Sequence, residues 1–155
     1  ATLLNPKTGK FHKVTKNYFS YKYRQGKLKK TREILIDATF KLKKCKISPQ
    51  EQKKLLEKHK TYRIQKQPFG FTTGSFFKNP SKLSPAGMLI EKSGLKGKII
   101  GKAQISSKHA NFFLNLGGAS SQDIIALAKL AKRQVKAKFG LNLEAEVQIV
   151  GVKHF

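Results

Sequence analysis

The stretch Ser120–Gly140, SSQDIIALAKLAKRQVKAKFG, gives the clearest periodic signal in the chain. Ile124, Leu127, Ala128, Ala131, Val135 and Phe139 recur at helical spacing, so they form one apolar stripe. Lys129, Lys132, Lys136 and Lys138 fall mostly on the remaining surface. Ser120 and Asp123 open the helix, and Gly140 can close it in the left-handed conformation. A helix with one apolar stripe needs a sheet or another helix to cover that stripe. The neighbouring sequence supplies strands. Ile99–Ile105 and Phe112–Leu116 read as strands ahead of a Gly117-Gly118 turn, and Leu143–Val152 reads as a final strand.

Further towards the N-terminus, Ser84-Pro85 starts a short helix from Ala86 to about Lys92, ended by Ser93-Gly94. Ser48-Pro49-Gln50-Glu51 is a stronger helix start: a capping box with proline at the first helical position. That helix is expected to reach His59 or Lys60, with a loop from Thr61 to Gly70. Residues 1–47 read as strands and turns, with a hairpin about Asn5–Gly9 and a strong strand in Glu33–Leu42. The order of elements predicts an α+β fold.

Composition bounds the function. The chain has 155 residues, 33 Lys+Arg and 8 Asp+Glu, for a net charge of +25. An anionic partner is the first expectation for such a chain. The basic residues are spread along the sequence, however, and only four are Arg, the residue that reads bases and phosphates with a planar fork. A lysine-rich solvated surface is therefore the expected reading, with nucleic acid bound only nonspecifically; a dedicated basic nucleic-acid module is the alternative. No apolar run is long enough to span a bilayer. The lone Cys45 excludes an internal disulfide, and the four His lack metal-ligand spacing. A reduced, cytoplasmic setting fits.

One segment concentrates chemistry. Gly74-Ser75-Phe76-Phe77-Lys78-Asn79-Pro80 joins a flexible glycine, a hydroxyl, two aromatics, a cation and an amide. Lys78 and Asn79 carry donors suited to phosphate or sugar oxygens. The glycine spacing of a P-loop is absent. Glu144 and Glu146 are two of the eight acids, and their i, i+2 spacing puts them on one face of a strand. Tyr23-Arg24 lies in a crowded aromatic and basic segment, and His109 precedes a strand.

In order along the chain, Gly74–Pro80, Ala86-Gly87-Met88-Leu89-Ile90-Glu91, Gly94-Leu95-Lys96-Gly97, Ile100-Gly101-Lys102-Ala103, Ser107-Lys108-His109-Ala110-Asn111-Phe112, Phe139-Gly140-Leu141 and Leu143-Glu144-Ala145-Glu146-Val147 resemble the C-terminal part of the UDP-N-acetylenolpyruvoylglucosamine reductase (MurB) family. Tyr23-Arg24 and Glu33–Phe40 resemble the segment before it. The resemblance implies that residues 1–47 are the end of the flavoenzyme's second, FAD-binding region, 48–68 a helix and linker, and 69–155 the substrate-binding domain. It implies NADPH-driven, FAD-dependent reduction of UDP-N-acetylglucosamine enolpyruvate to UDP-N-acetylmuramate in peptidoglycan precursor synthesis. By the same resemblance Ser75 is the proton donor, and Arg24 and Glu146 polarise the substrate carboxylate. Asn79, Lys78 and His109 face the substrate, and Tyr23 approaches the flavin. The sequence departs from the family at Gln25-Gly26, where the family usually has Ser two residues after its Tyr-Arg. It also departs at Ala145 and Gln148, where Pro and Arg are common. Only five residues separate Pro80 from Ala86, as in the shorter form of the enzyme. The family's Gly-rich FAD-binding segments have no match in residues 1–155, so the chain is expected to need them from a partner or a preceding region. A split-gene product and a non-catalytic remnant are the other expectations.

Overall fold

The computed structural model describes residues 1–151, in two compact units, Ala1–Ile47 and Ser48 onwards. Each unit has its own antiparallel sheet.

In the first unit, β1 (Thr2–Leu4) lies between β2 (Phe11–Lys13) and β3 (Ile34–Asp37). The predicted hairpin forms, closed by bonds between Asn5 and Lys10 and between Gly9 and Asn5. Leu3, opposite His12 and Leu35, is fully buried. Between β2 and β3 the chain makes a 3-10 turn (Lys16–Phe19) and a single helical turn, α1 (Leu28–Thr31). A polar cluster ties these pieces together. The Tyr18 hydroxyl donates to Glu33 at 2.7 Å, His12 Nε2 lies 3.2 Å from the same carboxylate, and Lys27 Nζ sits 3.6 Å from the Tyr18 ring centroid. The Tyr18 hydrogen bond is the main reason that the Glu33 carboxyl titrates below its usual range. The strand expected over Glu33–Leu42 is shorter than that, because only Ile34–Asp37 find a partner strand.

The second unit opens with α2 (Pro49–Lys66), whose capping box is formed as the sequence predicts: Ser48 accepts from the Glu51 N–H while Glu51 accepts from the Ser48 N–H. The helix runs past the expected end at His59 or Lys60 to Lys66. Nothing between Thr61 and Lys66 breaks a helix, and the stop comes at Gln67, held extended (ψ 143°) ahead of Pro68. A four-stranded sheet follows, in the order β4 (Phe71–Ser75), β7 (Phe112–Asn115), β6 (Ala103–Ile105), β5 (Ile99–Ile100). The single strand expected over Ile99–Ile105 is a tight hairpin of β5 and β6, turned at Gly101.

α4 (Ser121–Phe139) packs on β5 and β6, and α3 (Ala86–Lys92) packs against α4. α4 begins at the Ser120–Asp123 capping box and ends at Gly140 with φ +69°, as read from the sequence. Its stripe residues Leu127, Ala128, Ala131 and Val135 are wholly buried against Ile90, Ala103 and Ile105. Phe76, Phe77 and Phe113 complete the core as an aromatic cluster, with Phe76 and Phe113 stacked at 4.6 Å between centroids. The final strand expected from Leu143 is reduced, among the described residues, to one bridge between Ala145 and Phe77; Val152 lies outside those residues. No helix among the described residues is long and apolar enough to cross a membrane.

Candidate functional site

Ser75 ends β4 immediately after a bulge. Gly74 has φ +82°, a conformation that side-chain-bearing residues rarely adopt, and the register with β7 shifts between Thr72 and Ser75. A bulge re-aims the next side chain, and here that side chain is the Ser75 hydroxyl. Beyond it, Phe76 to Lys78 is gripped from both edges. On one edge the Glu146 N–H donates to the Phe76 carbonyl and the Lys78 N–H to the Glu144 carbonyl, both at 2.8 Å. This bridge leaves the Ala145 N–H out of the ladder, so the position is one that proline can also occupy. On the other edge stands Asn111. Its Oδ1 accepts from the Phe77 N–H at 2.9 Å, its Nδ2 donates to the Phe77 carbonyl at 2.8 Å, and its own carbonyl accepts from the Phe76 N–H.

A cavity of about 570 Å³ opens beside this segment. Ser75, Asn79, His109 and Asn111 line it together with Gly87 and Met88 of α3. Charge comes from Lys66, Lys92 and Lys108 against the one acid Glu91, and Tyr62 of α2 adds an aromatic hydroxyl. Three ammonium groups, a hydroxyl and amides around one opening suit a polar, anionic ligand. A second groove, about 630 Å³, is lined by Phe71, Phe76, Phe113, Ile124 and Val147 among others, with no titratable side chain.

The expected site residues divide as follows. Ser75, Asn79 and His109 meet at the cavity. The Asn79 side chain also accepts from the Ala86 N–H at 3.0 Å and so fixes the start of α3. The His109 Nδ1 accepts from the Asn111 N–H at 3.2 Å, and burial lowers the imidazole pKa, keeping the ring neutral at neutral pH. Ser106 Oγ in turn accepts from the Lys108 and His109 N–H groups, shaping the loop that carries them. Lys78 does not line the cavity; its ammonium pairs with Glu144. Glu146, half-buried, stands beside Phe76 in the bridge, next in register to Ser75 but outside the cavity lining. Tyr23 and Arg24 belong to the first unit, at the corner of a tight turn closed by two bonds between Lys22 and Gln25. Arg24 has φ +55° and is exposed, its guanidinium 5.5 Å from the Tyr23 ring centroid. A non-glycine residue held there carries backbone strain of about 1 kcal/mol or more, which is often found at functional positions.

Sequence reasoning assigns no role to Asn111 or Gly87. Asn111 hides at the end of a polar run that reads as a loop. At Gly87 a Cβ would come 2.9 Å from His109 Cε1, so α3 lies close against the imidazole because position 87 has no side chain. Among the described residues no cluster of His, Cys, Asp and Glu could hold a metal ion.

Known proteins are similar to this chain in sequence and in fold. The family described as UDP-N-acetylenolpyruvoylglucosamine reductase, C-terminal domain, matches residues 66–150. A UDP-N-acetylenolpyruvoylglucosamine reductase from Halalkalibacterium halodurans is 40% identical over 139 residues, 89% of this chain and 45% of that protein. One from Nostoc punctiforme is 38% identical over 152 residues, 97% of this chain and 45% of that protein. The crystal structure of UDP-N-acetylenolpyruvylglucosamine reductase (MurB) from Thermus caldophilus superposes with a TM-score of 0.76 at 31% identity, covering 95% of this chain and 50% of that one. The chain thus spans about half the length of the relatives it matches. Its α+β fold, its match over residues 66–150 and its likeness to a solved relative establish that the chain belongs to the UDP-N-acetylenolpyruvoylglucosamine reductase (MurB) C-terminal domain family.

Proposed function

We propose that the chain is the substrate-binding, catalytic part of a cytoplasmic reductase that converts UDP-N-acetylglucosamine enolpyruvate to UDP-N-acetylmuramate for peptidoglycan synthesis. The observation that carries this reading is the meeting of Ser75, Asn79 and His109 at one lysine-lined cavity in a chain of this family. The opening is of a size that accepts a sugar nucleotide. The lysines offset the charge of a diphosphate, and the Asn79 amide orients the ligand. His109, being neutral, contributes shape and one hydrogen bond rather than charge. Lys78 can reach the ligand only by exchanging Glu144 for it.

FAD, reduced by NADPH, would supply the hydride. The chain's own contribution to holding it is the exposed Tyr23 ring beside Arg24. The described residues include no Gly-rich cradle for its phosphates, so a FAD-binding region must hold the rest. Addition of hydride to an enolpyruvyl ether places negative charge on the carbon next to the carboxylate. Arg24 polarises that carboxylate as the charge develops, and Glu146 assists as a hydrogen-bond donor through its carboxyl O–H. The Ser75 hydroxyl gives its proton to the carbon. An alcohol is a weak acid, but an enolic carbanion is a strong base, so a short-range transfer suffices. Residues 1–47 are then the end of the FAD-binding region, 48–68 a helical linker, and 69–155 the substrate domain. Contact with nucleic acid is nonspecific, arising from lysines spread along the chain.

The test is a chimera in which this chain replaces the matched part of the Halalkalibacterium halodurans relative. NADPH oxidation that depends on the enolpyruvyl UDP-sugar supports the reading. A folded, FAD-loaded chimera without such turnover refutes it.

A further inference from the structure

Phe77 lies where β4 has left its register with β7, yet both of its backbone hydrogen-bonding groups are satisfied, and by a single side chain. The Asn111 amide takes the place of a neighbouring strand: its Oδ1 and Nδ2 offer the Phe77 N–H and C=O the acceptor and donor that a ladder residue would. The amide is buried, only 3% exposed, so water does not compete for these bonds. The Phe76 N–H is held by the carbonyl of the same residue. Three bonds from one residue therefore fix three successive peptide units, the first of which joins Ser75 to Phe76. On the other side of Ser75, which pairs with Phe112 of β7, lies the Gly74 bulge, tied only locally by the Gly74 N–H to Thr72 Oγ1 at 3.2 Å. Asn79, further on, has an independent anchor in the Ala86 N–H.

We propose that Asn111 is the positioning residue of this site: it sets where the Ser75 hydroxyl stands relative to the ligand, through the backbone of Phe76 and Phe77 and without touching the reacting atoms. The role rests on the function proposed above. Proton transfer is steep in distance, and a misplacement of about 1 Å costs on the order of a hundredfold in rate. Ligand binding, which leans on the separately anchored Asn79 and on the lysines, is affected far less.

The test uses the chimera together with this chain by itself. With Asn111→Ala, reduction of the flavin by NADPH should proceed at the unsubstituted rate. Its reoxidation by the enolpyruvyl UDP-sugar should slow on the order of a hundredfold, with KM for the sugar changed by no more than about threefold. In the isolated chain, amide exchange at Phe77 should accelerate in Asn111→Ala, while the α4 amides keep their protection. Asn111→Ser serves where the alanine variant fails to fold. Reoxidation within about twofold of the unsubstituted rate overturns the proposal, as does equal loss of both half-reactions in a folded variant. If the unsubstituted chimera itself does not turn over, the functional reading falls, and the exchange measurement still decides whether Asn111 holds the segment: unchanged protection at Phe77 overturns that claim too.

Discussion

The two long helices, α2 and α4, begin in the same way and end up in opposite environments. Each opens with a serine N-cap and an acid three residues on, each forms the full capping box, and each is lysine-rich. α4 buries Leu127, Ala128, Ala131 and Val135, whereas α2 buries nothing. The difference lies in where the apolar residues fall. In α4 they share one stripe; in α2, Leu55, Leu56, Tyr62 and Ile64 point to different sides and remain substantially exposed. Capping sets where a helix starts, and periodicity decides whether it becomes part of a core. α2 is thus an outrigger, tied to the site by the Lys108 ammonium, which donates to the Ile64 carbonyl at 2.8 Å.

The strongest way to break the comparison is paired truncation. Leu127→Ala should cost about 2–5 kcal/mol in urea denaturation, because a fully buried side chain leaves a cavity. Leu56→Ala, at a position 69% exposed, should stay within about 0.5 kcal/mol. Equal costs would mean that α2 packs after all.

Next in size is Gly87→Ala. The added methyl meets the His109 ring, and overpacking of this kind costs about 1–3 kcal/mol, visible as a lower Tm. A neutral result would show that the imidazole yields easily and is no rigid wall of the cavity.

The caps sharpen the contrast further. Ser120→Ala should lower global stability by about 1 kcal/mol. Ser48→Ala should speed amide exchange along α2 and leave the urea midpoint in place, since an isolated helix of this length is marginal and unfolds locally.

The smallest effect is in pH. The folded pKa of His109 lies below its ordinary value of 6.5, through burial. The unfolded chain therefore takes up the proton first as pH falls. The stability gained from the neutral ring is complete above about pH 6.5 and declines below it, towards the folded pKa. His109→Gln should flatten that decline between urea midpoints measured at about pH 7.5 and about pH 5. An unchanged slope would assign the decline to other groups.

Much of this was legible in the residues. Ser120, Asp123 and Gly140 bound α4, Ser48-Pro49 starts α2, and Gly74–Pro80 marks the site, because caps, turns and periodicity act over a few residues. What the sequence concealed depends on distant partners. Among the described residues, the stretch after Leu143 has strand composition but pairs in a single bridge, Ala145 with Phe77, far upstream in the chain. The value of Asn111 lies in a contact 34 residues away, and that of Gly87 in the nearness of His109. The pairing of Lys78 with Glu144, 66 residues on, is likewise set by the fold and not by any local pattern.

The central claim is that the hydroxyl at the Gly74 bulge performs the proton transfer. Ser75→Ala in the chimera tests it most directly, with flavin reduction by NADPH and reoxidation by the enolpyruvyl UDP-sugar followed separately. Normal flavin reduction with reoxidation lost by several orders of magnitude is the predicted result. Reoxidation at the unsubstituted rate would contradict it and remove Ser75 from the chemistry.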